Sequence, residues 1–380
     1  AAPSMVPTAA AAGALYVSAE NAQFDNLFGG PMVVEVIVKD PNRSMTNENA
    51  GEPTVMVDNQ QLRMAQGLDG NWYGYFADST DVADVANDGS QLEFGTADDP
   101  DVGGILGHAS LATFDDTTYR SQLALGGTAG ANAADFAGVI DNAPELSNWN
   151  GTNASSCTSC GQIGINSTNW PFLQTYDFTQ EDFDVILEQA GTNEVVTLDH
   201  NNGDLDDYSS LTLDRSSATQ GAEVMLFIVD QQLNIDPTDE DVVIFKVAND
   251  GVASTSSVSW TNGTINGDLV DGDNTSAYVA AGTGHGFSDN GKLLINNDTA
   301  SSGTNTLEKI ATADDTVTAT TSGFTYLVFF EDADNTGTFS NVDDSDQANL
   351  QVTADAKRGT TATFDYNDSA QSFIVANDFG

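Results

Sequence analysis

Asp332, Asp334, Thr336, Ser340 and Asp343 stand at the first, third, fifth, ninth and twelfth places of a run that carries Gly337 at the sixth. That is the spacing of a twelve-residue calcium loop. Oxygen side chains at these places wrap around one point, the glycine permits the sharp turn, and a carboxylate closes the shell. Two places depart from the pattern. Thr336 stands where Asp or Asn is usual, and Asp343 is shorter than the customary bidentate Glu. The flanking residues read as strands, so the expectation is a calcium loop on a β scaffold, set against the plainer reading of a solvated acidic turn. A second acidic loop offers Asp230, Asp236 and Asp239 as calcium ligands, among Asn234, Glu240 and Asp241. Its competing reading is an Asx-rich turn between strands. The runs Asp204–Asp207, Asp98–Asp101 and Asp271–Asp273 read as solvated surface.

Catalytic spacings are missing. His108, His200 and His285 form no HxxxH or HxH pair, and the chain has neither a GxSxG elbow nor a phosphate-binding loop. The expectation is that the protein is not an enzyme. Cys157 and Cys160 form a CxxC, which alone is compatible with a redox motif, half a zinc site or a small disulfide loop. No second CxxC or nearby His completes a zinc site, and the flanks read as loop, not as the helix start that redox chemistry prefers. A structural disulfide in an oxidising compartment is the favoured reading. N-x-S/T sequons open at Asn42, Asn150, Asn153, Asn166, Asn262, Asn274, Asn297 and Asn367. They are candidate glycosylation sites, although Asn, Ser and Thr are common enough here to generate about this many by chance. The aromatic run from Trp72 to Phe76 reads as strand core and edge, with a sugar-stacking platform as the alternative.

Charge narrows the partners. The chain carries 57 acidic against 10 basic side chains, a formal net charge of −47. Nucleic acid and anionic membranes need basic patches and are disfavoured; cations are the natural partners. Only 13 of the acidic residues are Glu. The Asp excess suits turns and short oxygen ligation of hard cations, and it also suits solubility in salt. Hydrophobic residues make up 39 %, enough to bury cores rather than form a disordered acidic tail. No stretch is long and apolar enough to cross a membrane. The opening Ala1-Ala2-Pro3-Ser4 reads as a mature end after signal-peptide removal, predicting an extracellular protein.

The elements that must position these residues are short β runs. Met32–Val38, Thr54–Val57, Glu223–Val229, Asp241–Val247, Phe324–Phe330 and Ser372–Val375 are rich in Val, Ile, Phe and Thr and are bounded by Asp, Asn, Gly and Ser. Long amphipathic helices are missing. The expected fold is all-β, with tandem immunoglobulin-like β-sandwich domains. A strand, an acid-led polar loop and a second strand recur after Met32–Val38, Glu223–Val229 and Phe324–Phe330, as serial modules would require. The length of 380 residues allows two to four domains. The expected division is an N-terminal segment 1–13, a sandwich 14–190 with a Gly, Ala, Asp and Asn-rich insertion over about 80–170, and a part 191–380 bearing the acidic loops.

Several phrases resemble the surface-layer (S-layer) proteins of ammonia-oxidising thaumarchaea. They are Phe28–Val36, Leu62–Met64, Asp69–Asp78, Cys157–Thr168, Leu213–Val224, Leu233–Pro237, Glu331–Gly337, Ala356–Thr363 and Asn367–Asp378. The resemblance runs along nearly the whole chain and rests on these phrases, not on one diagnostic motif. It implies serial immunoglobulin-like domains, calcium binding, glycans, and self-assembly into a porous two-dimensional lattice. Members of that family are much longer, so it also implies an N-terminal portion. Carboxylate-lined pores would draw in cations, including ammonium. The alternative function is a calcium-dependent extracellular adhesin or binding module that forms no lattice. A secreted hydrolase with accessory β domains would need a histidine-containing pocket.

Overall fold

The computed structural model describes residues 14–30, 32–47, 51–78, 81, 139–141, 173–176, 178, 182–238, 240–248, 258–259, 263–269, 292–297, 306–310, 324–343, 345–366 and 369–377. The fold is all-β. Among the described residues helix is confined to Asp81, the four-residue α1 (Asn202–Leu205) and the 3-10 turns Ala22–Phe24, Asp206–Tyr208 and Gln231–Leu233. All six β runs read from the sequence contain strands. The described residues divide into two compact units. Those within 14–205 and 235–238 belong to the first, and those within 206–234 and 240–377 to the second.

The first unit contains β1 (Leu15–Val17), β2 (Leu27–Phe28), β3 (Val34–Val38), β4 (Val55–Val57), β5 (Gln60–Leu62), β6 (Ala65–Gln66), β7 (Trp72–Asp78), β8 (Val139–Asp141), β9 (Leu173–Tyr176), β10 (Asp182–Leu187) and β11 (Glu194–His200). One sheet runs β1-β3-β7-β9-β8 with β6 also on β7; the other runs β2-β11-β10-β4-β5. Alternation explains the strands. In β3, Val34, Val36 and Val38 are fully buried while Glu35 and Ile37 are half-buried; in β10, Phe183, Val185 and Leu187 are buried while Asp182 and Asp184 are exposed. Asp58 and Asn59 join β4 to β5 with φ of 43° and 64°. Both angles are left-handed, the conformation a two-residue hairpin turn needs to match strand twist. Ala190 and Gly191, the expected domain boundary, lie instead between β10 and β11, which pair antiparallel from Asp182↔Asp199 to Leu187↔Glu194. The polar segment around Gly191 is a hairpin connection within the first unit.

Aromatic rings hold the two sheets face to face. Phe28 and Phe183 come from one sheet, and Phe76 and Tyr176 from the other. Phe28 meets Phe76 edge-on at 6.1 Å and Phe183 at 5.8 Å. Phe178 stacks on Phe183 at 4.2 Å and meets Phe28 at 5.6 Å. Edge-on and offset rings align the positive rim of one with the negative face of another.

The second unit contains β12 (Ser210–Leu213), β13 (Ser217–Ala218), β14 (Leu226–Val229), β15 (Val242–Ala248), β16 (Val258–Ser259), β17 (Gly263–Leu269), β18 (Lys292–Asn297), β19 (Leu307–Lys309), β20 (Phe324–Glu331), β21 (Thr338–Ser340), β22 (Leu350–Val352), β23 (Thr361–Tyr366) and β24 (Gln371–Val375). Ten of these strands form a sheet in the order β12-β14-β21-β20-β15-β17-β18-β23-β24-β13, and β16-β19-β22 form a second sheet. The large sheet is curled. Between β15 and β23 lie three strand spacings, roughly 14 Å in a flat sheet, yet the rings of Phe245 and Tyr366 are 6.1 Å apart. The Ser369 hydroxyl, just past β23, reaches the Leu211 carbonyl in β12 at 3.4 Å, bringing opposite flanks of the sheet together. Buried Asn341 and Asn349 stitch the interior. Asn341 Oδ1 accepts from Leu226 N at 2.7 Å, its amide donates to Asn349 Oδ1 at 3.0 Å, and Asn349 donates to the Val328 carbonyl at 2.9 Å.

Phe28 sits at the centre of the ring cluster with no exposed surface. Phe28→Ala should lower unfolding stability by about 3–5 kcal/mol, read from the urea midpoint at unchanged m-value. Glu35 yields a pH prediction. Burial pushes its carboxyl up to about 7, with the Tyr75 hydrogen bond pulling down and the Asp236 charge pushing up. A carboxyl raised on folding binds its proton more tightly in the native state. Its contribution is therefore present at acid pH and lost as pH rises from about 4.5 toward 7. Glu35→Gln should flatten the fall in melting temperature over that window, by up to about 3 kcal/mol at its upper end, measured by calorimetry at matched ionic strength.

Candidate cation-binding loops

The twelve-residue acidic run does not coil around a point. Its first part is the turn between β20 and β21, closed by Asp332 N donating to the Thr338 carbonyl at 2.8 Å. Thr338–Ser340 is extended and pairs with β20 through Phe330↔Ser340 and Glu331↔Phe339. A strand therefore separates the turn that carries Asp332 and Asp334 from Asp343.

The group that closes the turn is Glu331, one residue ahead of the motif. One carboxylate oxygen accepts from Thr336 N and Gly337 N, both at 2.7 Å, and from the Thr336 hydroxyl at 3.2 Å. The other accepts from Asp241 N at 3.0 Å, tying the turn to the start of β15. Glu331 is 3 % exposed. Burial raises its carboxyl to about 7, against the opposing pull of the donors from Asp241, Gly337 and Thr336. Thr336 therefore directs its hydroxyl to Glu331 in this conformation.

The remaining ligands expected in this run divide. Asp332 and Asp334 are exposed at the tip. Partial burial raises the Asp332 carboxyl, opposed by a hydrogen bond with Ser340, so these two are brought together. Asp343 is 5 % exposed. Its Oδ1 accepts from Ser345 N at 3.0 Å and Gln347 N at 2.9 Å, while its Oδ2 is buried with no hydrogen-bond partner. An acceptor oxygen of that kind has coordination capacity left for a cation.

The second acidic loop is taken up by structure. Asp230 is 1 % exposed. Its Oδ1 caps the 3-10 turn through Gln232 N at 2.9 Å, and its Oδ2 accepts the Tyr366 hydroxyl at 2.5 Å. Asp230 N donates to the Gly337 carbonyl at 2.8 Å, and the Gln231 amide donates to the Thr336 carbonyl at 2.9 Å. The two acidic loops are thus docked on each other, with Asp230 facing inward. Asn234 donates to Asn335 Oδ1 at 2.9 Å, while its own Oδ1 is buried with no hydrogen-bond partner. Asp236 belongs to the first unit, where it accepts from Thr238 N at 2.9 Å and the Thr238 hydroxyl at 2.6 Å.

Asp239, Cys157, Cys160, Asn150, Asn153, Asn166, Asn262, Asn274 and Asn367 lie outside the described residues. Asn42 is exposed on a turn, with its amide donating to Asp40 at 3.2 Å. Asn297 ends β18. No protein-family model matches the chain, and no curated protein matches it.

Two features escape the motif reading. Glu331 sits just outside the template, and no spacing marks it. Asp78, Asp81 and His200 come together in the first unit with their candidate ligand atoms all within 4.8 Å of one another. In sequence, His200 had no neighbour at a ligand spacing. Only the termination of β7 at Asp78 and of β11 at His200 makes them neighbours.

Gly337 is the joint between the loops. Its φ is +60°, and a Cβ there would come within 2.2 Å of Gln231 Nε2 and 3.2 Å of Gln231 Cα. Gly337→Ala should cost about 1–3 kcal/mol. Hydrogen exchange should show early loss of protection at Asp230 and Gly337 while the Val185 amide in β10 is unchanged.

Proposed function

We propose that this chain is a structural subunit of a porous, highly acidic surface layer, held beside its copies by divalent cations, calcium foremost. The observation that carries the reading is the charge imbalance of −47. Ion pairs of Lys and Arg such as Arg43–Asp40, Arg63–Glu52 and Arg215–Asp214 draw on ten basic side chains at most. The carboxylate surplus has no internal partner of opposite sign. Copies placed side by side repel unless counter-ions lie between them, since salt screens surface charge only beyond about 8 Å. Divalent cations supply that compensation. Asp332 and Asp334 at the exposed turn and the unpartnered Oδ2 of Asp343 are the carboxylates to which calcium would be drawn. Two all-β units with aromatic or amide-stitched interiors suit a stiff tile, and immunoglobulin-like sandwich domains are part of this reading. So are extracellular location, a Cys157–Cys160 disulfide and glycans on exposed sequons such as Asn42. Carboxylates left uncompensated at pore walls would concentrate cations, ammonium among them, and exclude anions. No catalytic role is proposed.

Purified chain should self-associate as calcium is added and give ordered sheets by electron microscopy; EDTA should return it to monomer. Calcium should also raise the melting temperature by several degrees, as expected of a ligand held by the folded state alone. A chain that stays monomeric and thermally unchanged at every calcium concentration refutes the reading. Saturable capture of a ligand without two-dimensional order would instead indicate a calcium-dependent adhesin.

A further inference from the structure

The rim of the first unit's sandwich brings together three side chains that acidity alone does not explain. Asp78 is the last residue of β7, in one sheet, and His200 is the last residue of β11, in the other. Asp81 follows β7 by three residues. Asp78 and Asp81 are 4 % and 8 % exposed. Asp78 is oriented by the backbone: Oδ1 accepts from Asp81 N at 3.0 Å, and Oδ2 accepts from Phe178 N at 3.2 Å. The His200 ring packs against Phe28 at 5.0 Å and Phe178 at 5.7 Å. Its Nε2 is fully buried and makes no hydrogen bond, although Asp81 Oδ2 is 3.4 Å away.

That separation is longer than a direct charge-assisted hydrogen bond. An imidazolium donating to a carboxylate closes to about 2.7–2.9 Å. Two ligands sharing a tetrahedral ion with bonds of ~2.0–2.1 Å stand about 3.3–3.4 Å apart. The observed 3.4 Å fits the second. Burying a ring nitrogen without a partner is unfavourable, and an ion between it and the two carboxylates removes that cost. The donor set selects the ion. Calcium and magnesium take oxygen, whereas one imidazole nitrogen with two carboxylate oxygens suits a first-row divalent ion such as zinc. We infer that Asp78, Asp81 and His200 form a zinc-class site that fastens the ends of β7 and β11, with water completing the shell. The inference is independent of the lattice proposal, because its ligands and its metal differ from those of the calcium loops.

The test uses the full chain stripped with EDTA and dialysed against zinc in excess calcium, which occupies the surface carboxylates. Wild type should retain one more zinc per chain than His200→Gln by elemental analysis. Cobalt should give a visible ligand-field spectrum in wild type that the variant lacks. Asp81→Asn, which keeps the shape of the side chain, should lose the same equivalent and serves if the first variant fails to fold. Equal zinc content in wild type and folded variants overturns the inference. So does a His200 imidazole that titrates by NMR identically with and without zinc, as a simple His–Asp ion pair would.

Discussion

A chain with 57 acidic and 10 basic side chains has few cations to spare for its buried carboxylates, and much of the described structure satisfies them by other means. A buried carboxylate needs donors. Here they are backbone N–H groups and tyrosine hydroxyls. Glu331 takes three main-chain amides, Asp230 takes one amide and Tyr366, Asp343 takes two amides, and Glu35 takes Tyr75. Each bond fixes a stretch of backbone as well as a charge. The acids therefore act as the fasteners of turns and strand starts, work that Lys and Arg share in a chain of ordinary composition.

The two units meet the shortage differently. In the first, a cluster of phenylalanine rings binds sheet to sheet, and ionisable groups such as Glu35 and the Asp78–Asp81–His200 group sit toward its margins. In the second, a single large sheet curls until Phe245 meets Tyr366. Its interior admits Asn341, Asn349 and Asp230, each hydrogen-bonded. Polar groups in so enclosed a place specify one register for the strands they bridge, because any slip would leave acceptors unmet.

Much of the fold was legible in the sequence, and for a local reason. Runs such as Met32–Val38 and Phe324–Phe330 concentrate β-branched and aromatic residues between polar turn residues, and they became strands. The boundary assigned at Ala190–Gly191 misread punctuation: a glycine-led polar cluster looks alike in a linker and in a hairpin. The calcium template counts residues along one stretch of chain and so carries no information on strand pairing. Pairing with β20 holds Thr338–Ser340 extended, and that pairing is a long-range fact. His200 was missed on the same ground, since its neighbours arrive from strands remote in sequence, whereas Glu331 was missed because it stands one place ahead of the template.

The distances along the chain that these contacts span bear on how the protein is made. Ala14 N is held by Glu194 across 180 residues, and Asp230 meets Tyr366 across 136. Closing such loops is entropically slow and is rewarded only once both ends have emerged from the ribosome. Neither unit can lock early during synthesis. The nascent polypeptide therefore stays pliable through most of its elongation.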